Sequence, residues 1–551
     1  MTGRLFAALL VLTLVFRFWL AAAFPITGDE AYFIWWGWRP DWGFYDHPPM
    51  IGWWLAALLM LGDAEWWLRL PVILQPAVLA LGVYWALPRL IAATGCAPGR
   101  EESSRPPPMG AKSFLGRPGE RLDGEERRLW AAALVLLAPV NVWNVFITTD
   151  TPLIYFSVFS GLAWIRATRD DEGDGTRSRA WRWYLLAGLL LAGAVLSKYF
   201  AAILGFAYLV DALRRRKSGA WAGLAIAYAC TLPALALMAW WNSGHCWPNY
   251  MFNFVNRHGD AGWSIKTPLL YAVTLLYVLG PPVLWLAWRS ADRRYLPAKR
   301  NSRYAERTSA DSLPLSLGTL AWLPFLMFAG LSLVKQIGLH WLLSFVPFAL
   351  IWLALRLTPV ALRRLGLFFA GFAILHIAAI LVVSRVPLDT WQKTRLYDGI
   401  VLSFEHQALA KELQPYRQDW VLAMDGYSNA VTLGYNLRQY VVVFGEASSH
   451  ARHDDLVTDF RALAGRNFLI LRKSAPNLDD YRKYFRQVSA DSFEIRGARF
   501  WRVKGEGFDY LAYRTGVLAG VRQKYYALPA WLPQTACYMC DRYFPGEACR
   551  R

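Results

Sequence analysis

Residues 5–24, LFAALLVLTLVFRFWLAAAF, lead almost directly into Thr27-Gly28-Asp29-Glu30-Ala31-Tyr32, and this junction decides the fold. The first piece is an apolar run of the ~20 residues needed to cross a bilayer. The second places two adjacent carboxylates just past its end, a costly position unless they are exposed, paired or bound to a cation. Next comes Gly43-Phe44-Tyr45-Asp46-His47-Pro48-Pro49, in which two prolines stiffen the turn presenting Asp46 and His47. Tyr32, Trp35, Trp36, Trp38 and Trp42 surround the acids. Aromatic faces suit sugar rings, but for any single Trp here a place in the interfacial belt is the commoner role.

The rest of the chain agrees with a membrane reading. It has 551 residues, is 56% hydrophobic and contains 29 Trp, too apolar for a soluble protein of this size. The net charge of +19, from 59 Lys+Arg against 40 Asp+Glu, would also suit nucleic acid. However, the basic residues cluster between apolar runs, and there is no zinc-finger spacing or RNA-recognition signature, so no nucleic-acid partner is expected. The clusters lie at Arg4, Arg89 to Arg128, Arg166 to Arg182, Arg214 to Lys217, Arg289 to Arg307 and Arg363 to Arg364. Placing them all in the cytoplasm is self-consistent. The resulting expectation is a mainly α, polytopic fold in a bacterial inner membrane, with about eleven transmembrane helices by the positive-inside rule. The spans fall near 5–24, 70–93, 129–147, 150–166, 183–197, 199–213, 219–241, 268–289, 316–334, 338–355 and 365–385. The N-terminus is then cytoplasmic and the C-terminus periplasmic. The first run lacks a small-residue cleavage site and is expected to be a retained anchor.

Two regions are expected: a transmembrane part over 1–387, with its first periplasmic loop at 25–69, and a small periplasmic α/β domain over 388–551. Strand-like runs at Trp420 to Met424, Tyr440 to Phe444 and Asn467 to Leu471 alternate with helical stretches such as Asp454 to Leu463. Residues 97–128 and 290–313 read as cytoplasmic loops. Of six cysteines, Cys96, Cys230 and Cys246 lie in or beside spans and read as packing residues. Cys537, Cys540 and Cys549 suggest one disulfide with a thiol left over, while a metal site would want a fourth ligand.

Taken together, the Gly-Asp-Glu-Ala-Tyr stretch, the aromatic run and Tyr-Asp-His-Pro-Pro resemble the first loop of the GT-C glycosyltransferases. The branch resembled unites protein O-mannosyltransferases with the lipid A aminoarabinose transferase. Three further segments match in family order: Phe146-Ile147-Thr148-Thr149-Asp150-Thr151-Pro152-Leu153, Leu196-Ser197-Lys198-Tyr199, and Trp240-Trp241-Asn242-Ser243-Gly244-His245-Cys246-Trp247. The resemblance covers about residues 5–260. It implies a polyprenyl-phosphate-linked sugar donor, a periplasmic glycolipid or protein acceptor, and a cavity in the membrane between them. Asp29 would be the catalytic carboxylate and Glu30 its partner. Within the motifs, Tyr32, Tyr45, His47, Asp150 and Asn242 are expected to line the substrate site. Asp46 stands where the aminoarabinose branch has a metal-holding Glu followed by Lys, so a divalent ion held by Asp46 with His245 or His258 is a further expectation. Each histidine would serve equally in an interfacial hydrogen bond.

Elementary electrostatics points to the same sites. A lipid phosphate needs fixed positive charge, and Lys198 sits in a tight turn between two apolar spans, against the positive-inside trend. Lys335 and Arg257 make the same argument, and a lysine at either place would also snorkel to lipid headgroups. Asp150 suits an N-cap, with donor orientation as its other role. The expected chemistry is a single inverting displacement with Asp29 as base and Lys198 on the departing phosphate. A flippase for lipid-linked glycans is the alternative, though it would more naturally place ionisable groups mid-span within repeats. A ligand sensor would leave the first-loop acids unused.

Overall fold

The computed structural model describes residues 1–91, 124–172, 177–258, 262–291, 309–446, 453–547 and 549. The expected loops at 97–128 and 290–313 lie largely outside them. The chain is a multi-pass membrane protein and mainly helical. Its helices are α1 (Gly3–Ala23), α2 (Gly28–Trp38), α3 (Met50–Leu59), α4 (Leu70–Ile91), α5 (Gly124–Leu136), α6 (Asp150–Glu172), α7 (Arg177–Val195) and α8 (Ala201–Arg215). They continue with α9 (Ser218–Ser243), α10 (Lys266–Leu279), α11 (Pro281–Ala291), α12 (Ser309–Ser332), α13 (Val346–Arg356) and α14 (Pro359–Val383). Among the described residues, five helices are long and apolar enough to cross a bilayer: α1, α4, α9, α12 and α14. The count becomes six if α10 and α11, bent by 93° at Gly280, form one broken span. Several other expected spans are present as helices that are shorter or more charged. One is α6, which carries Arg166, Arg169, Asp170 and Asp171 in its second half.

The first outward stretch is not an irregular loop. Thr27 and Glu30 form a reciprocal capping box, each side chain meeting the other's backbone N–H, and this starts α2 at the paired acids. Glu30 is fully buried and meets Arg69 in a bidentate pair of 2.8 and 2.7 Å. Arg69 also donates to the carbonyls of Ala21, Phe24 and Pro25, while Glu30 accepts from the backbone N–H of Ile147. One ion pair therefore joins the end of α1, the start of α2, the start of α4 and the segment before α6. A second arginine works in the same way. Pro76 has no N–H to give to Val72, and Arg17 takes that carbonyl at 2.6 Å along with those of Ile73 and Asn144.

The C-terminal part carries a five-stranded sheet of order β2-β1-β3-β5-β4. The strands are β1 (Val421–Met424), β2 (Val442–Val443), β3 (Phe468–Arg472), β4 (Phe485–Ile495) and β5 (Ala498–Phe508). β1 pairs parallel with β2 and β3, while β3–β5 and β4–β5 are antiparallel. The β4–β5 hairpin turns through Arg496 and Gly497, both at positive φ. Helices α15 (Tyr397–Phe404), α16 (His406–Leu413) and α17 (Tyr427–Leu437) pack with this sheet, and the expected helical stretch from Asp454 to Leu463 is present as a five-residue helix, His453–Val457, and a 3-10 helix, Phe460–Leu463. α17 also lies against α2, with Tyr435 stacked on Trp38 at 5.9 Å and Arg438 paired with Asp63 at 3.1 Å.

Removing one member of the Glu30–Arg69 pair strands a buried charge, at a cost of about 3–5 kcal/mol. Glu30→Gln and Arg69→Met should each lower the thermal unfolding midpoint of the detergent-purified protein clearly. An unchanged midpoint would count against this role.

Candidate active site

The site gathers where α1, α7, α9 and α12 end and α2, α6, α8 and α10 begin. Asp29, in the first turn of α2, is exposed, and its Oδ1 accepts from the Tyr427 hydroxyl at 3.3 Å. Desolvation by surrounding protein raises its pKa, the Tyr427 hydrogen bond opposes this, and the Glu30 charge adds to it. One turn further along α2, Tyr32 is buried and donates to Asp46 Oδ1 at 3.2 Å. Burial pushes the Asp46 carboxyl up to about 7, against the Tyr32 hydrogen bond and with the help of the Asp29 charge. The turn carrying Asp46 is held from α9's trailing loop, because Asn253 donates to the Asp46 carbonyl and Asn249 to that of Phe44.

Positive charge lies on the other side. Lys198, in the turn between α7 and α8, is buried and bonds Asp150 Oδ2 at 2.7 Å. Burial lowers its pKa and Asp150 opposes the shift. His340 Nε2 stands 3.8 Å from the same oxygen. Asp150 Oδ1 is buried without a hydrogen-bond partner among the described residues. Arg257 lies over the rings of Phe252 and Trp341, and Lys335 donates to its carbonyl at 2.9 Å. His47 Nε2 is 3.8 Å from Asp46, and burial followed by the charges of Lys198, Arg257 and His340 hold the imidazole neutral, well below its usual range. The acids and cations thus share one electrostatic field. An apolar groove of about 530 Å³ between α3, α4, α6 and α7, lined by Trp54, Trp85, Tyr155, Phe156 and Trp183, runs along α6 from Tyr155 to Arg166, on the same helix that carries Asp150 at its start.

Several expectations change. Glu30, expected as catalytic partner of Asp29, is fully engaged by Arg69 and Ile147 and is a scaffold residue. Asn242 is buried, its amide donating to Met238 and its oxygen accepting from Asn249, so it shapes the loop and has little left for substrate. Tyr45 is buried in the C-terminal core against Phe252 and Tyr526. Lys198 already has its anion in Asp150. The expected metal ligands are not brought together among the described residues. Among the described residues no three His, Cys, Asp or Glu ligands converge on Asp46 or His245, and the His258 side chain lies outside them. His245 stacks on Trp241 and uses Nδ1 on the Trp241 carbonyl at 2.7 Å. Tyr427 went unnoticed in the sequence because it lies in no motif around the acids.

The cysteines differ too. Cys246, read as packing, bonds Cys537, and Cys540 bonds Cys549, so none of these four is left over. The loop after α9 brings Cys246 beneath the C-terminal tail, where its N–H meets the Ala536 carbonyl at 2.9 Å. Cys246 and Trp247 both adopt positive φ there, an uncommon conformation for side-chain-bearing residues.

Fold and site together define a polytopic membrane protein with a tyrosine-held carboxylate pair facing a cationic cluster at one end of its bundle. Residues 119–241 match the family described as dolichyl-phosphate-mannose-protein mannosyltransferase. A curated relative, lipid A galacturonosyltransferase RgtD of Rhizobium johnstonii, is 26% identical over 280 residues. That match covers 47% of this chain and spans about half of the relative, 49%. The crystal structure of ArnT from Cupriavidus metallidurans bound to undecaprenyl phosphate has a TM-score of 0.58 at 14% identity, covering 91% of this chain and 98% of ArnT. The apo form gives 0.56 at 16% identity, covering 90% and 97%. The family match thus lies within the helical part of the chain, and the fold as a whole is shared with ArnT.

The Cys246–Cys537 link anchors the loop that holds Asp46 and carries Arg257. Cys246→Ser, or reduction, should cost about 2–5 kcal/mol of stability. Comparing thermal unfolding with and without reductant checks this, and identical midpoints would contradict it.

Proposed function

We propose that the protein transfers a sugar from a polyprenyl-phosphate-linked donor to a glycolipid or other envelope acceptor at the periplasmic face of a bacterial inner membrane. The observation that carries the reading is the placement of Asp29 and Asp46 in one field with Lys198, Arg257 and His340, at the head of the helix whose later turns line an apolar groove. The groove suits a polyprenyl tail, and the cations suit its phosphate. Undecaprenyl phosphate in the ArnT structure and the name lipid A galacturonosyltransferase favour a lipid donor and a lipid A-type acceptor.

The acceptor oxygen attacks the anomeric carbon as the bond from that carbon to the phosphate oxygen breaks. The polyprenyl phosphate leaves with the electron pair and needs no proton at neutral pH. The acceptor's proton passes to Asp29, whose Oδ1 is held by Tyr427 and whose Oδ2 remains for the reaction. Arg257 stabilises the phosphate charge, while Lys198 stays paired with Asp150 Oδ2 and fixes that carboxylate so that its Oδ1 accepts from a donor hydroxyl. The displacement is single and inverts the sugar.

The test is release of free polyprenyl phosphate by the purified protein from a panel of labelled polyprenyl-phosphate sugars, galacturonic acid, aminoarabinose and mannose among them. Asp29→Asn should lose about 10²–10⁴-fold in turnover. Arg257→Ala should mainly raise the donor KM, by about tenfold or more. Undiminished turnover in both, or translocation without release, would remove the proposal.

The sign of the pH effect also follows. Asp46 ionises near pH 7, and the Asp29 charge is one of the causes that raise it there. In Asp29→Asn that charge is gone, so the Asp46 carboxyl should titrate at lower pH, read by carbodiimide labelling of the protonated carboxyl across pH. A midpoint that stays in place or moves up would contradict the coupling.

A further inference from the structure

The C-terminal part reaches the proposed base, Asp29, through α17. The first turn of α17 meets the first turn of α2 so closely that a Cβ on Gly28 would stand 2.1 Å from Ser428 Oγ. No side chain fits between them. This approach delivers the Tyr427 hydroxyl to Asp29 Oδ1 at 3.3 Å, with the Tyr427 ring edge-on to Tyr32 at 5.5 Å. Tyr32 in turn holds Asp46. Two tyrosines in contact, one from each half of the chain, thus hold the two carboxylates Asp29 and Asp46.

We infer that Tyr427 is a positioning residue for Asp29, fixing the carboxylate that receives the acceptor's proton and making α17 a wall of the active centre. This rests on the proposed base role of Asp29. The physical reason is that a phenol donating to one carboxylate oxygen restrains its rotation and stabilises its ionised form. The groups that act on Asp29 are Glu30 from α2, whose charge raises its pKa along with burial, and Tyr427 from α17, whose hydrogen bond lowers it, while the Asp29 charge in turn raises Asp46 on the 43–49 turn. Loss of Tyr427 leaves burial and the Glu30 charge with no hydrogen bond to oppose them. The pKa of Asp29 should then rise, and a base that must be ionised becomes active only at higher pH.

Tyr427→Phe keeps the ring and removes the hydroxyl. In the full-length protein, release of polyprenyl phosphate should fall about tenfold in kcat, with donor KM within about twofold and the acid limb displaced to higher pH. Tyr440→Phe, a ring of the same face that touches neither acid, should leave the limb in place. A Tyr427→Phe profile matching the wild type, or a change confined to KM, would overturn the inference. A second readout needs no turnover: carbodiimide coupling of a labelled amine to the protonated Asp29 carboxyl, followed by peptide mass spectrometry across pH. The labelling midpoint should rise in Tyr427→Phe, and an unmoved midpoint overturns the inference. If the wild-type protein releases no polyprenyl phosphate from any donor, the proposed function fails and this labelling decides the Tyr427 contact alone.

Discussion

The buried pair between Glu30 and Arg69 is the constraint on which the rest depends. An isolated charge in this place would be prohibitive, and a bidentate pair becomes tolerable only when the remaining donors and acceptors are satisfied as well. Arg69 spends its other N–H groups on three carbonyls at the end of α1, and Glu30 accepts backbone N–H groups from Thr27 and Ile147. Because every lone pair and proton is used, the start of α2 has one position relative to α4 and α6. Asp29 is the neighbouring residue on α2, so its direction is inherited from the pair. The acid next in sequence is thereby free for chemistry while its partner holds the frame.

Much of this was legible in the sequence, and the parts that were not share a cause. The Gly-Asp-Glu-Ala-Tyr stretch marks the head of α2, and Asp29, Asp46, Lys198, Asp150 and Arg257 do converge. Local signals carry such information because each residue lies at the end of an apolar run. Pairings between distant segments have no comparable mark. Nothing near Glu30 announces Arg69, nothing near Asp29 announces Tyr427 some 400 positions on, and Cys246 finds Cys537 only once the loop after α9 folds under the tail. The two longest strands were missed for a related reason. Their turn is Arg496-Gly497, without the Asn-Gly or Asp-Gly pair that usually betrays a hairpin.

The C-terminal part belongs to the working site. It gives a tyrosine to Asp29 through α17, and its tail is bonded to the loop that steadies Asp46 and presents Arg257. Motion of this part would therefore be felt at both carboxylates together.

Everything proposed requires the carboxylate end of the bundle to face the periplasm. Asp29→Cys, made with Cys96 and Cys230 replaced by Ser, tests this in intact cells with a membrane-impermeant maleimide. Labelling of position 29 from outside, without permeabilisation, is the expected result. Labelling that appears only when the cytosolic face is opened would contradict the account.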